Sequence, residues 1–394
     1  MHTSATSHRQ KTESSVGMTS SLWLVCTLVA IFGSIYAVLA ARLARIFSAR
    51  PGVLLQEAED VTVLKPLYGA EAVLGANLAS FCMQDYAAAI QIVCGVQDPT
   101  DAAVPVVQNL RAQFPDRDIS LAVALRRPTG NPKISNLLNM TPLAQHGIIV
   151  LSDSDMCVGS NYVRDVVATL QQPEVGLVTC LYRGRAVGGI WSRLAAAAVD
   201  QHFLPSVLVA LRFGLARPCF GSTIALRTET LQRIGGFEAF ANALADDYAM
   251  GEAVRRLGLS VAIPSFTIGH TFSETTFSEV MSHELRWART IRLVDPKGYA
   301  GSILTHPLPF AIAALLMSGF SAISFIILAT TLACRLLVPI EVERLPGGGK
   351  SSVWLSPLRD LVSFAVFVAS FLPGAVKWRG RRYRVGPDGS VTPI

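Results

Sequence analysis

Three apolar segments constrain the fold of this chain more than any other feature of its sequence. Residues 22–41 form a run of 20 residues without a charge, long enough for a helix to cross a hydrocarbon core of about 30 Å. A cleaved signal peptide would have an apolar region of about 7 to 15 residues followed by small residues. This run instead leads directly into Arg42, Arg45 and Arg50. We therefore predict an uncleaved transmembrane anchor at residues 22–41, preceded by a disordered stretch at residues 1–21.

The other two apolar segments lie in the carboxyl-terminal quarter of the chain. Residues 307–334 contain no Asp, Glu, Lys or Arg, and we predict that residues 306–334 cross the membrane once as a helix. The shorter segment at residues 355–376 contains Pro373, so a span and a re-entrant piece both remain open. Residues 377–394 form a basic tail with aromatic residues. Directly after an apolar segment, such a tail marks a cytoplasmic membrane boundary more simply than it indicates nucleic acid.

Composition and charge placement indicate an integral membrane protein with a cytoplasmic middle region. Apolar residues make up 51% of the chain and charged residues 16%, with a net charge of +6. Basic residues flank all three apolar segments on the sides that place residues 60–297 in the cytoplasm. The seven cysteines include no C-x-x-C pair, so the sequence predicts neither a disulfide framework nor a zinc site.

Within residues 60–297, candidate strands alternate with candidate helices, which predicts an α/β fold with a doubly wound parallel sheet. The apolar run Ile148–Leu151 is typical of a strand buried on both faces, and Asp153 and Asp155 follow it. Ligands bind at the carboxyl ends of such strands. Two carboxylates there can hold a divalent ion together with substrate phosphates. On the tripeptide alone, capping of the next helix is an equal alternative.

Three other polar residues occupy positions where a ligand could bind. Asp98 follows the second strand, where it either starts a turn or accepts a hydrogen bond from a nucleotide base or ribose. Lys133 lies near a helix N-terminus, where phosphate is favoured, or is a plain surface lysine. Asp247 opens another helix, where it either interacts with the helix dipole or serves as a general base.

The helix predicted over residues 278–292 presents His283, Arg286 and Trp287 on one face. An arginine and a tryptophan on a shared face suit binding of a pyrophosphate and stacking of a ring. The same residue types are common where a helix rests at a lipid interface. The pattern alone leaves both interpretations open.

These pieces occur in the order typical of a known family. The chain resembles the ceramide glucosyltransferase family, and more closely its bacterial branch associated with hopanoid biosynthesis. The resemblance covers roughly residues 61–297 and the flanking membrane segments. It rests on nine blocks in register: VTVLKPLYG, CGVQDP, NPKISNL, LSDSD, VGLVTCLYRG, CFGSTIALR, IGGF, ADDYAMG and HELRWAR.

The resemblance implies a GT-A (Rossmann-like) fold and an inverting transfer of a sugar from a UDP-sugar to a lipid hydroxyl at the cytoplasmic face, in a bacterial inner membrane. The site residues that it implies are Asp98 for the uridine, Asp153 and Asp155 for the diphosphate and Mg²⁺ or Mn²⁺, Asp247 as general base, and Arg286 with Trp287 as the R-W of the Q/R-x-x-R-W block. Lys133 is the further candidate for the nucleotide-sugar. His283 stands where the family has Gln or Arg, so its role is open and processive synthesis is disfavoured.

Two further function classes make different demands on the sequence. A catalytically dead membrane scaffold should have lost one of the expected site residues, and none is lost. A processive polysaccharide synthase should have more spans and Gln at position 283. Among single-transfer enzymes, the wording of CFGSTIALR and HELRWAR favours N-acetylglucosamine transfer to bacteriohopanetetrol over glucose transfer to ceramide. No nucleic-acid partner is expected.

Overall fold

The computed structural model describes most of the chain. Backbone is described for residues 3–71, 73–124, 131–243, 245–350, 352–372, 376–378, 381–385 and 391–393, and side chains for those that lie between residues 20 and 372. The strands are β1 Val61–Pro66, β2 Ile90–Val96, β3 Asp118–Val123, β4 Ile148–Leu151, β5 Met156–Cys157, β6 Val175–Val178, β7 Leu181–Ala186, β8 Ile224–Arg227, β9 Ser260–Ala262, β10 Thr267–Phe272, β11 Val376–Trp378, β12 Arg381–Val385 and β13 Val391–Pro393.

Fourteen α-helices are present in the described ranges. They are α1 Thr3–Ser48, α2 Leu74–Cys82, α3 Ala103–Gln113, α4 Pro132–Met140, α5 Tyr162–Leu170, α6 Ile190–Ala198, α7 Leu204–Arg212, α8 Thr228–Arg233, α9 Asp246–Arg256, α10 Phe277–Val294, α11 Pro296–Gly301, α12 Pro307–Met317, α13 Ala322–Val342 and α14 Ser356–Ser370. A π turn at Val199–Phe203 joins α6 to α7.

A seven-stranded sheet with the order β3-β2-β1-β4-β8-β6-β9 forms the centre of the α/β region. Its first four strands are parallel, with Val61 of β1 opposite Ile90 of β2 on one side and Ile148 of β4 on the other. Successive residues of these strands face opposite sides of the sheet. Val63 and Val150 therefore belong to one core and Leu64 and Leu151 to the other, which explains the unbroken apolar runs.

The predicted α/β class is confirmed, but the sheet is mixed rather than wholly parallel. Strand β8 runs antiparallel to both β4 and β6. The residues of β8 would be buried on both faces of the sheet whether the strand ran parallel or antiparallel, so its own sequence does not indicate its direction. A second sheet with the order β5-β10-β7 adjoins the carboxyl end of β4, and β10 brings a histidine, His270, to that edge.

Several helices are long and apolar enough to cross a membrane. By length and composition these are Ser20–Ser48, Ile190–Arg212, Ala322–Val342 and Val353–Ser370, together with the pair Pro296–Thr305 and Pro307–Met317, which is bent by 55°. The N-terminal candidate includes the predicted anchor. The segment Ile190–Arg212 was not predicted, because its sequence reads as two short apolar pieces that the π turn makes continuous.

The prediction of one helix over residues 306–334 is wrong. Helix α12 ends at Met317, and α13 begins at Ala322 and continues to Val342. Between them Gly319 and Phe320 adopt positive φ angles of 61° and 63°, the left-handed conformation that ends helices. The two apolar helices pack against each other and against α1, so this segment is a helical hairpin.

The chain segment after α13 returns to the second sheet. The Arg183 guanidinium, on β7, donates to the carbonyl oxygens of Glu343 at 3.3 Å and Gly349 at 3.2 Å. Gly347 lies so close to β10 that a Cβ on it would be 2.6 Å from the carbonyl carbon of Ile268. The end of α13 is therefore held against the strand that carries His270.

The terminal predictions also differ from the structure. Helix α1 begins at Thr3, so residues 3–21 are helical rather than disordered; no proline interrupts them. Helix α14 covers Ser356–Ser370 of the predicted segment 355–376, and Pro373 lies outside the described residues. In the tail 377–394, β12 pairs antiparallel with β11 and β13.

We predict that Gly184→Ala destabilises the protein. A Cβ at Gly184 would lie 2.3 Å from the backbone oxygen of Ala196, and overpacking of this kind costs about 1–3 kcal/mol. The measurement is the apparent unfolding temperature in detergent. Gly147→Ala is the matched control, because a Cβ there meets no atom within 4 Å; equal unfolding temperatures for the two variants would contradict the prediction.

Candidate active site

The carboxylates of Asp153 and Asp155 lie at the carboxyl end of β4, as predicted. The Asp153 N–H donates to the Gly221 carbonyl at 3.2 Å, and His270 Nε2 lies 3.0 Å from Asp155 Oδ2. The next helix, α5, has Asn161 as its N-cap. The capping alternative is therefore wrong, and both carboxylates belong to a turn at the edge of the sheet.

Lys133 is held against these acids and is not a surface lysine. Its side chain is 12% exposed, and Nζ lies 2.7 Å from Asp153 Oδ1 and 3.6 Å from Asp246 Oδ2. Burial disfavours its charge, but Asp153, Asp246 and Asp247 outweigh burial and raise the pKa of Lys133. The lysine is therefore a permanent cation at this edge of the sheet.

Helix α4 presents Lys133 to the acids because Asn131 caps it. The Asn131 side-chain oxygen accepts from the N–H groups of Lys133 at 2.9 Å and Ile134 at 3.3 Å. Its amide nitrogen donates to the Ala243 carbonyl at 2.9 Å and to Asp246 Oδ1 at 3.2 Å. One fully buried side chain thus joins the start of α4 to the start of α9.

Asp247 lies in the first turn of α9, and backbone groups orient its carboxylate. Oδ2 accepts from the Gly221 N–H at 2.9 Å, and Oδ1 accepts from the Tyr248 N–H at 2.8 Å. Burial and the neighbouring Asp246 raise the pKa of Asp247 to about 6, although Lys133 opposes them. A carboxylate with this pKa is ionised at neutral pH and still able to accept a proton.

Gly221 connects the two acidic segments. Its carbonyl accepts from Asp153 and its N–H donates to Asp247. A Cβ at this position would lie 2.6 Å from Asp153 Oδ2 and 2.9 Å from Lys133 Nζ. Only glycine leaves room for both charged groups here.

The two acids of the Asp-x-Asp turn differ in their electrostatic surroundings. Burial raises the pKa of Asp153, with Lys133 opposing and Asp155 adding to the rise. Burial also acts against ionisation of Asp155, but His270 outweighs it and lowers the pKa to about 2. Asp155 Oδ1 is buried without a hydrogen-bond partner, so one carboxylate oxygen of the turn is left to bind something else.

Helix α10 reaches this site through a row of ring contacts. The His270 ring centroid lies 5.5 Å from that of Trp287, which in turn lies 4.5 Å from that of His283. His283 Nδ1 is 2.8 Å from Glu274 Oε1. Trp287 therefore packs against the protein beside the acidic turn, and Arg286, half-buried on the same helix, precedes it.

Asp98 is exposed after β2, and its described contacts are those of a turn. Oδ1 accepts from the N–H of Thr100 at 2.8 Å and from its hydroxyl at 2.6 Å. Strand β2 neighbours β1 in the sheet, so Asp98 is at the same edge as the acidic turn. The turn interpretation holds, and contact with a base or ribose stays a prediction.

Two functional candidates were missed by sequence reasoning. Lys65, at the end of β1, is fully buried; its Nζ lies 3.3 Å from Ser152 Oγ and 4.0 Å from the centre of the Phe81 ring. Burial lowers its pKa to about 8 against the opposing effect of Asp155 and Asp153. The sequence signal that could have identified Lys65 is the presence of a lysine within an otherwise apolar strand. For His270, in contrast, nothing in its local sequence points to Asp155.

Comparison with known proteins identifies the family. Residues 24–391 match Glycosyl transferase family 21, and the chain belongs to that family. It is therefore a sugar-transferring enzyme. Family membership and the mixed sheet together confirm the predicted fold class, a GT-A glycosyltransferase domain with apolar helices at both ends.

Individual relatives carry ceramide glucosyltransferase names. Ceramide glucosyltransferase 3 of Caenorhabditis elegans is 25% identical over 351 residues, covering 84% of this chain and 74% of the relative. The ceramide glucosyltransferase of Candida albicans is 30% identical over 123 residues, covering 28% of this chain and 23% of the relative. The predicted resemblance to this family is confirmed, whereas neither relative is named for hopanoids.

Among solved structures, a mannosyltransferase from Pyrobaculum calidifontis in complex with GDP-Man and Mn²⁺ is similar with a TM-score of 0.49 and 18% identity, covering 89% of this chain and 97% of that one. Glucosyl-3-phosphoglycerate synthase from Mycobacterium tuberculosis, in complex with Mn²⁺ and UDP-glucose, has a TM-score of 0.39 and 18% identity, covering 62% and 83%.

We predict that Gly221→Ala lowers the turnover number for sugar transfer on the order of 100-fold, because the added methyl group displaces Asp153 or Lys133 and small misplacements at a reacting centre are costly. Steady-state kinetics of the purified protein test this. Gly159→Ala, where a Cβ has no neighbour within 4 Å, is the control. Unchanged kinetics in Gly221→Ala would show that this edge of the sheet is not the reaction site.

Proposed function

We propose that this protein is a membrane-bound, inverting, UDP-sugar-dependent glycosyltransferase whose acceptor is a lipid hydroxyl. The observation that carries the proposal is the joint placement of Asp153, Lys133 and Asp247 around Gly221. This arrangement puts a cation and a metal-binding turn on one side of the glycine and a proton-accepting carboxylate on the other. A diphosphate leaving group and a hydroxyl nucleophile need these two kinds of group.

The residues of the acidic turn fit a hard divalent cation such as Mg²⁺ or Mn²⁺. Asp153 and Asp155 supply carboxylate oxygens, and the partnerless Oδ1 of Asp155 is free of competing hydrogen bonds. Within the described residues no group of three or more His, Cys, Asp and Glu side chains forms a complete metal site. That agrees with a metal held by one or two carboxylates and by substrate phosphates. When bound, the ion neutralises charge that develops on the diphosphate.

The residues of the chain divide the remaining work. Asp247 accepts the proton of the acceptor hydroxyl, and the hydroxyl oxygen of the acceptor forms a bond to the anomeric carbon of the sugar. The bond from that carbon to the diphosphate oxygen breaks, and UDP leaves with the electron pair. Lys133 and Arg286 offer positive charge to the departing diphosphate, and Trp287 and His283 supply the aromatic wall beside it. Attack opposite the leaving group inverts the anomeric centre.

The donor and membrane assignments extend the family assignment. Asp98 is proposed to contact the uridine, since it lies at the sheet edge where nucleotides bind in open α/β folds. The flanking basic residues favour a catalytic region, residues 60–297, on the cytoplasmic face of a bacterial inner membrane. The apolar helices packed on that region give a membrane lipid a route to a cytoplasmic site.

Two acceptor lipids are supported by different observations. The names of the relatives support ceramide, with glucose as the transferred sugar. The residues of the blocks CFGSTIALR and HELRWAR support bacteriohopanetetrol, with N-acetylglucosamine as the sugar. Both assignments use the same residues and the same chemistry.

The experiment is a matrix of UDP-glucose and UDP-N-acetylglucosamine against ceramide and bacteriohopanetetrol, with purified protein in detergent. We expect transfer in one donor and acceptor pair that stops when EDTA removes the metal and returns with Mg²⁺ or Mn²⁺. Asp155→Asn should weaken activation by the metal. The absence of turnover in all four pairs would overturn the proposal and favour a catalytically dead membrane scaffold.

We predict that kcat/KM for transfer rises with pH through about 6, tenfold per pH unit below that value, because Asp247 must lose its proton before it can act as the base. Asp247→Asn should lower kcat by about 10²–10⁴-fold and abolish this limb of the profile. Glu252→Gln, on the same helix, is the control. A wild-type profile in Asp247→Asn would remove this residue from the mechanism.

A further inference from the structure

Helix α14 carries two adjacent charged residues that are completely buried. Arg359 and Asp360 are both 0% exposed, although α14 is one of the helices apolar enough to cross a membrane. Charged residues at such positions are rare and generally have a specific partner or function. The partners of these two residues lie on different helices.

Arg359 is bound to α10, the helix that carries Trp287. Its Nη1 and Nη2 lie 2.6 Å and 2.7 Å from the two carboxylate oxygens of Glu284 on α10. The same guanidinium donates to the Leu194 carbonyl on α6 at 3.1 Å and to Ser363 Oγ at 3.0 Å. A bidentate contact of this kind fixes orientation as well as distance.

Asp360 is bound to the membrane hairpin and to the π turn. Arg335 Nε, on α13, donates to Asp360 Oδ2 at 2.7 Å, and His202 Nε2 lies 2.9 Å from Asp360 Oδ1. Arg335 Nη2 also donates to the Gln201 carbonyl at 3.1 Å. Through two successive residues, α14 therefore connects α13 and the π turn to α10.

Glu284 occupies a critical place on α10. It directly follows His283 and lies less than one turn before Arg286 and Trp287, whose ring contacts His270 beside the acidic turn. Rotation of α10 about its axis would move all three side chains relative to Asp155. The Arg359 contact opposes that rotation, because the two oxygens of Glu284 can meet the planar guanidinium in one orientation only.

We propose that Arg359 and Glu284 are positioning residues for the transfer reaction, and that this buried pair sets the rotation of α10 and hence the placement of Arg286 and Trp287. The proposal rests on the proposed function for its kinetic consequence. Buried ion pairs contribute little net stability compared with apolar residues of similar size. Fixing the orientation of α10 is therefore the simpler explanation for a bidentate pair in which Arg359 is fully buried and Glu284 is 13% exposed.

The test compares a double apolar replacement with the wild-type protein. Glu284→Leu combined with Arg359→Met removes both charges together, so no buried charge is left unpaired. We expect an apparent unfolding temperature close to wild type, an unchanged donor KM, and a kcat lowered by about 10–100-fold. If the pair served only to stabilise the fold, the double variant would lose both stability and kcat, or it would lose neither. A folded double variant with kcat within about twofold of wild type would overturn the proposal.

A readout independent of catalysis separates this proposal from the proposed function. Hydrogen exchange of residues 277–294 should be faster in the double variant, while residues 132–140 of α4 exchange as in wild type. This difference is expected even if none of the donor and acceptor pairs turns over. Unchanged exchange in α10 would overturn the positioning role whatever the enzyme assay shows.

Two further variants cover the case in which the double variant does not fold. Arg359→Lys keeps the charge but replaces the planar fork with a single amine, and it should lower kcat at unchanged donor KM; wild-type kcat here would also overturn the proposal.

Glu59→Leu with Arg227→Met is the matched control. That pair is bidentate too, at 2.7 Å and 2.8 Å, but is 31% and 42% exposed and distant in the chain from α10, so its loss should leave kcat unchanged.

Discussion

The candidate active site depends on one buried cation among carboxylates from separate segments of the chain. Lys133 lies 2.7 Å from Asp153 and 3.6 Å from Asp246, with Asp247 adjacent in the sequence. Two like unit charges 4 Å apart repel by about 4 kcal/mol at an effective dielectric constant of 20. Lys133 supplies the positive charge that offsets repulsion between the carboxylates of the β4 turn and α9. The lysine thus makes it possible to place the turn proposed to bind a metal beside the carboxylate proposed to accept a proton.

The same site is linked to the membrane helices by backbone contacts. The segment after α13 lies against β10 at Gly347, and Arg183 holds its carbonyl groups. Strand β10 carries His270, which hydrogen-bonds Asp155 and contacts the Trp287 ring. The position of the hairpin α12–α13 is therefore coupled to the geometry of the acidic turn by short, directional contacts rather than by a flexible linker.

The sequence predicted those features that depend on local composition. A strand buried on both faces needs an unbroken apolar run, so β4 and the acids that follow it were found, and the helical spacing of His283 and Trp287 placed them on one face. The partners of these residues come from distant segments. His270 meets Asp155 across 115 positions in the sequence, which no local pattern encodes.

Other misses have equally specific physical causes. The direction of β8 is set by the path of the chain through α6 and α7 rather than by its four residues. The break at Gly319 was hidden because glycine and serine count as compatible with an apolar span, although a left-handed glycine ends a helix. Lys65 was passed over because strand recognition weighs the apolar neighbours and disregards the one charged residue among them.

The hairpin α12–α13 has a consequence for where the chain that follows it lies. Its first helix follows α10 and α11, and the chain after its second helix returns to β10 and Arg183, so the hairpin begins and ends beside the α/β region. Helix α14 is then tied to α10 by Arg359. The hairpin, the segment that follows it and α14 are therefore each attached to the α/β region that carries the candidate site, by Arg183 at one point and by Arg359 at another.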